Sequence, residues 1–110
     1  MAGKPIPVST ANEMIRTYLD YMTKQGVDMG KQTHSVSFTS AELMSWMKEV
    51  SPYADEFRIC MGAYMQEPFD KITTIIWPYK DGHPSRKPLS QGKDGDDEPV
   101  DPFNDGNTHP

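Results

Sequence analysis

The side chains able to do chemistry in this chain are few and scattered. His34, His83 and His109 are far apart in sequence, and none has the i, i+4 spacing of a helix-borne metal pair. They read as surface histidines in loops. Cys60 is the only cysteine, and Arg58 shares its strand face, an arrangement that would lower the pKa of an exposed thiol. A buried structural cysteine is the preferred reading, because free cysteine is among the most buried residue types. The run Asp94, Asp96, Asp97, Glu98 offers oxygen ligands for a hard cation. It misses the EF-hand spacing, since Pro99 and Val100 stand where a ligand and a turn glycine are needed. The serines include no G-x-S-x-G, and there is no glycine-rich phosphate loop. No catalytic, cofactor-binding or metal residue is assigned, and no cofactor is expected. The one constellation worth carrying forward is a ligand pocket of Arg58, His83 and His109, closed between sheet and tail with Tyr64 nearby. There Arg58 would hold an anion and a histidine would move protons.

These residues hang on a hairpin predicted over Phe57 to Tyr79, FRICMGAYMQEPFDKITTIIWPY. Phe57, Ile59, Met61 and Ala63 alternate with Arg58, Cys60, Gly62 and Tyr64. The return strand KITTIIW is apolar on both faces, so each face needs cover: a helix, the tail or another subunit. Before the hairpin, T-A-N-E at Thr10 and T-S-A-E at Thr39 are capping boxes, each opening an amphipathic helix. Phe38 and Leu43 add a hydrophobic staple to the second. Gly26 stops the first helix and Ser51-Pro52 the second. Met14, Met22, Met44, Met47 and Met61 fall on faces read as core, with Met29 and Met65 in loops. HSVSF reads as a short strand, and strand, helix, strand from Val36 to Tyr64 is the pattern of a parallel crossover.

The expected fold is therefore α+β, with two helices packed on a small three-stranded mixed sheet, a C-terminal β-hairpin and an irregular acidic tail. Residues 1–82 form the domain and 83–110 a Pro/Gly/Asp-rich tail, too poor in apolar side chains to offset its ordering entropy. The net charge of −5 resides there: residues 1–92 hold ten basic and ten acidic side chains, whereas Lys93 faces six acids after it. A neutral body with no basic stripe argues against nucleic acid. No apolar stretch approaches a membrane span, and one cysteine gives no disulfide framework, so the expected compartment is the cytoplasm. With 35% apolar residues and roughly seventy residues to build the fold, the domain is marginal alone and a partner would help.

The succession of S-V-S-F, T-S-A-E-L, F-R-I-C-M-G-A-Y, K-I-T-T-I-I-W-P and a terminal N-D-G-N-T-H-P resembles small uncharacterised proteins of Bacteroidetes bacteria. The resemblance implies no activity. It does imply that the closing N-D-G-x-x-H-P belongs to the fold, against the composition argument for a disordered end. The expected function is a noncatalytic protein–protein interaction or assembly module. It would bind another protein or itself through the hairpin face, with Tyr64, Phe69, Ile75, Trp77 and Tyr79 as contacts. The rival is a small enzyme or anion-binding domain built on the Arg58 pocket.

Overall fold

A computed structural model describes residues 3–68, 70–89 and 96–109. The chain runs α1 (Val8–Lys24), β1 (Ser35–Ser37), α2 (Ser40–Val50), a 3₁₀ turn (Ser51–Tyr53), β2 (Glu56–Ala63), β3 (Ile72–Lys80), β4 (His83–Pro84), β5 (Arg86–Pro88), β6 (Asp97–Pro99) and β7 (Asn107–His109). The class is α+β, as expected.

The predicted hairpin is present. β2 and β3 pair antiparallel from Glu56 opposite Tyr79 to Ala63 opposite Ile72. β4 adds to the far side of β3, giving the order β2-β3-β4. The turn into β4 is Asp81-Gly82, both at positive φ (51° and 80°), the geometry of a two-residue type I′ hairpin. Beyond β4, the Phe103 amide donates to the Ile76 carbonyl and the Ile76 amide to the Phe103 carbonyl, each at 2.9 Å. The far edge of β3 is thus occupied at Ile76 and Pro78, and Pro78 fits because its missing N–H belongs to a position that does not bond β2.

Three expectations are corrected. The sheet is not mixed: β1 pairs with β7, not with β2, and among the described residues every strand pairing is antiparallel. A strand–helix–strand pattern gives the order of elements but not their partners, and the C-terminal segment supplies a better match for β1. Gly106 allows the close approach; a Cβ there would lie 2.6 Å from Val36 Cγ1 and 2.8 Å from the Ser37 carbonyl oxygen. Second, the described part of 83–110 is not irregular. It provides β4 to β7, and Val100 is buried with its amide donating to the Ser85 carbonyl. Composition understated this segment because backbone hydrogen bonds and two apolar side chains, Val100 and Phe103, fasten it. Third, only α2 packs closely on the hairpin, where the Trp46 ring meets Phe57 at 5.7 Å and Phe103 at 4.9 Å. No residue of α1 is buried, and Met14, Ile15, Tyr18 and Tyr21 are exposed.

The helix ends follow local rules unevenly. The Gly26 amide donates to Thr23 and the Val27 amide to Met22, a Schellman closure with Gly26 at φ 87°. At the other end α1 starts at Val8 with Pro7 as its cap, so Thr10 lies inside the first turn. Thr39 does cap α2, without a side-chain bond.

Among the described residues the buried apolar side chains are Met29, Val50, Ile76, Pro78 and Val100. Met14, Met44 and Met61, expected in the core, are exposed, while Met29 lies in a turn, as expected, and is buried there. The radius of gyration is 17.2 Å against about 13 Å for a compact chain of this length, in keeping with a core this thin. Among the described residues Ser85 Oγ is buried with no hydrogen-bond partner. An unsatisfied hydroxyl costs its desolvation, so Ser85→Ala is expected to raise stability by about 1 kcal/mol, read as a higher urea midpoint with unchanged slope.

Candidate functional site

The β2–β3 register decides which side chains share a face. One face carries Glu56, Arg58, Cys60 and Gly62 opposite Tyr79, Trp77, Ile75 and Thr73. The other carries Phe57, Ile59, Met61 and Ala63 opposite Pro78, Ile76, Thr74 and Ile72.

On the first face the expected contacts Ile75, Trp77 and Tyr79 are all half-buried. The Arg58 guanidinium stands 4.0 Å from the centroid of the Tyr79 ring, and Arg58 Nε donates to Glu56 Oε1 at 2.9 Å. The cation is therefore engaged by a ring and a carboxylate of its own sheet. Cys60, opposite Ile75, is half-buried. Tyr64 closes the strand, its hydroxyl accepting from Thr73 Oγ1 at 3.4 Å. Phe69 lies outside the described residues.

The histidines go elsewhere. His83 sits on β4 opposite Lys80, and His109 on β7 opposite Ser35, where its Nε2 lies 2.8 Å from Ser37 Oγ. Arg58 and His83 stand on strands separated by β3, and His109 belongs to another sheet. His34 is held locally, its Nε2 against the Met29 carbonyl. Among the described residues no group of three or more His, Cys, Asp or Glu is placed to hold a metal ion. Asp94 lies outside them. Asp97 and Glu98 face the basic strand β5: Arg86 Nε donates to Asp97 Oδ1 at 2.6 Å, and Lys87 Nζ lies 3.9 Å from Glu98. These exposed pairs set the β5–β6 register more than they stabilise the fold.

The second face carries the feature sequence reasoning assigned to the core. Ile59 is 69% exposed, Met61 68% and Phe57 37%, in a row along β2. A groove lined by Tyr18, His34, Val36, Met61 and Ile72 continues the row toward α1. The alternation that produces the row was legible. That β2 is an edge strand was not, because the segment filling the far side of β3 comes from Phe103 and from the unrecognised Asp81-Gly82 turn. That dipeptide was the available signal.

The edge itself is specific. The Tyr64 amide donates to the Lys71 carbonyl, so the even-numbered residues of β2 bond β3, and the odd-numbered Phe57, Ile59 and Met61 turn their N–H and C=O outward. Among the described residues none of these outward groups has a hydrogen-bond partner. The result is a small α+β protein with an unpaired apolar strand edge, in which no described helix is long and apolar enough to cross a membrane. Comparison of the chain with protein-family models, curated proteins and solved structures gives no match.

Proposed function

We propose that this protein is a noncatalytic interaction or assembly module of the cytoplasm that engages a protein partner through the β2 side of its hairpin. The observation that carries the reading is the exposed row Phe57, Ile59, Met61, three large apolar side chains side by side on a strand with an open edge. Contiguous apolar surface on a small domain is what partners cover, whereas scattered apolar residues need no explanation. Met61 makes the row adaptable, since a thioether side chain fits varied contours. The rival pocket on Arg58, His83 and His109 has less support, because Arg58 already satisfies Glu56 and stacks on Tyr79.

The double substitution Ile59→Ser/Met61→Ser tests this. Both side chains are already mostly in solvent, so the fold should survive, as circular dichroism would check. Tagged wild-type protein should retain a stoichiometric partner, another protein or a second copy, that the double variant loses. Equal retention by both would contradict the reading.

A further inference from the structure

Resting on the reading just given, the geometry points to a specific occupant of the β2 edge: the β2 strand of a second copy, paired antiparallel about a two-fold axis through Ile59. An open strand edge is more selective than an apolar patch, because its outward amides and carbonyls require another extended strand. The choice of this chain's own strand follows from how β2 meets its two-fold image.

With Ile59 opposite Ile59, Phe57 falls opposite Met61 of the partner, and each of these pairs consists of outward-bonding residues. The amide of each Ile59 donates to the Ile59 carbonyl of the other copy, and Phe57 and Met61 exchange bonds likewise. The exposed rows of both copies then join into one apolar strip on a continuous six-stranded sheet. On the opposite face Arg58 falls over Cys60 of the partner and Glu56 over Gly62, so each long charged side chain lies across a small one. No like charges stand directly opposite, and β2 carries one charge of each sign.

Neighbouring registers are worse. A shift by one residue would turn the apolar row of one copy to the charged face of the other. Centring on Arg58 sets two arginines face to face, and centring on Cys60 leaves Phe57 against Ala63. The usual protections of an edge are also missing: between Glu56 and Ala63 there is no lysine, no proline and no break in the register.

Sedimentation velocity over a dilution series of the full chain tests the pairing, with a reversible dimer expected at a dissociation constant of about 10–100 µM, the scale of a small interface. Ile59→Lys places two ammonium groups opposite each other and should weaken the dimer at least about tenfold, and Met61→Lys gives an independent variant at another exposed position. The register is read by mild oxidation. Cys60→Ser/Ile59→Cys should form a disulfide-linked dimer, because the two positions sit within bridging distance across the axis, whereas Cys60 of the unaltered chain should not. A monomer at every concentration overturns the inference, and so does a dimer indifferent to both lysines or one that cross-links through Cys60. If the chain stays monomeric while Ile59→Ser/Met61→Ser still loses a different partner protein, self-pairing fails and the interaction reading stands.

Discussion

Phe103→Ala is expected to lower the unfolding free energy by about 3 kcal/mol, a large share of what so small a domain can have. The ring lies between Phe38, at 5.3 Å, and Trp46, at 4.9 Å, and Trp46 passes the contact on to Phe57 at 5.7 Å. Removing it opens a gap between two aromatic rings, one from α2 and one from the segment before it, and leaves the Trp46–Phe57 contact unsupported on that side. The same residue closes the β-bridge to Ile76, so its packing and its backbone bonds support one another. Urea unfolding followed by tryptophan fluorescence reads the effect, because Trp46 reports the cluster directly. A loss under about 1 kcal/mol would mean that this segment contributes nothing to the core.

Gly106→Ala should be nearly as damaging, at about 1–3 kcal/mol, although it adds a single methyl group. That methyl would lie 2.6 Å from Val36 Cγ1, 2.7 Å from Phe38 Cε1 and 2.8 Å from the Ser37 carbonyl oxygen. A side chain could rotate away, but the carbonyl belongs to β1 and can retreat only if β1 and β7 separate. The pairing from Ser35–His109 to Ser37–Asn107, together with the His34 amide bond to the His109 carbonyl, is then at risk. The expected signature is local: accelerated hydrogen exchange at Ser35 to Ser37 and at Thr108, with a melting temperature lower by several degrees. Unchanged exchange in β1 would show that the close approach does not hold β7.

How much of this was written in the sequence varies by element. The hairpin was legible, because β-branched and aromatic residues alternate on both sides of a polar reversal. α2 was legible from Thr39 at its start and Ser51-Pro52 at its end. The partner of β1 was not, since a three-residue strand carries too little pattern to choose a neighbour. Nor was the docking of the tail: Gly106, Val100 and Phe103 act through close approach, burial and backbone bonds that composition averages away. The site residues divide for a similar reason. Arg58 and Tyr79 stand far apart in the sequence, and only the strand pairing brings them together to stack. The alternation puts Phe57, Ile59 and Met61 on one face but carries nothing to say that β2 stands at the edge, where the same alternation means contact surface instead of core.

Hydrogen exchange along β2, measured amide by amide at low and high protein concentration, tests the central claim most directly. The amides of Arg58, Cys60 and Gly62 face β3 and should be protected at any concentration. Those of Phe57, Ile59 and Met61 should exchange fast in dilute protein and slow as the concentration, or a partner, is raised. Odd-numbered amides already protected at the lowest concentration would show the edge to be covered from within the chain. Odd-numbered amides that never become protected, with partner bound or at the highest concentration, would show that β2 is not where this protein makes its contacts.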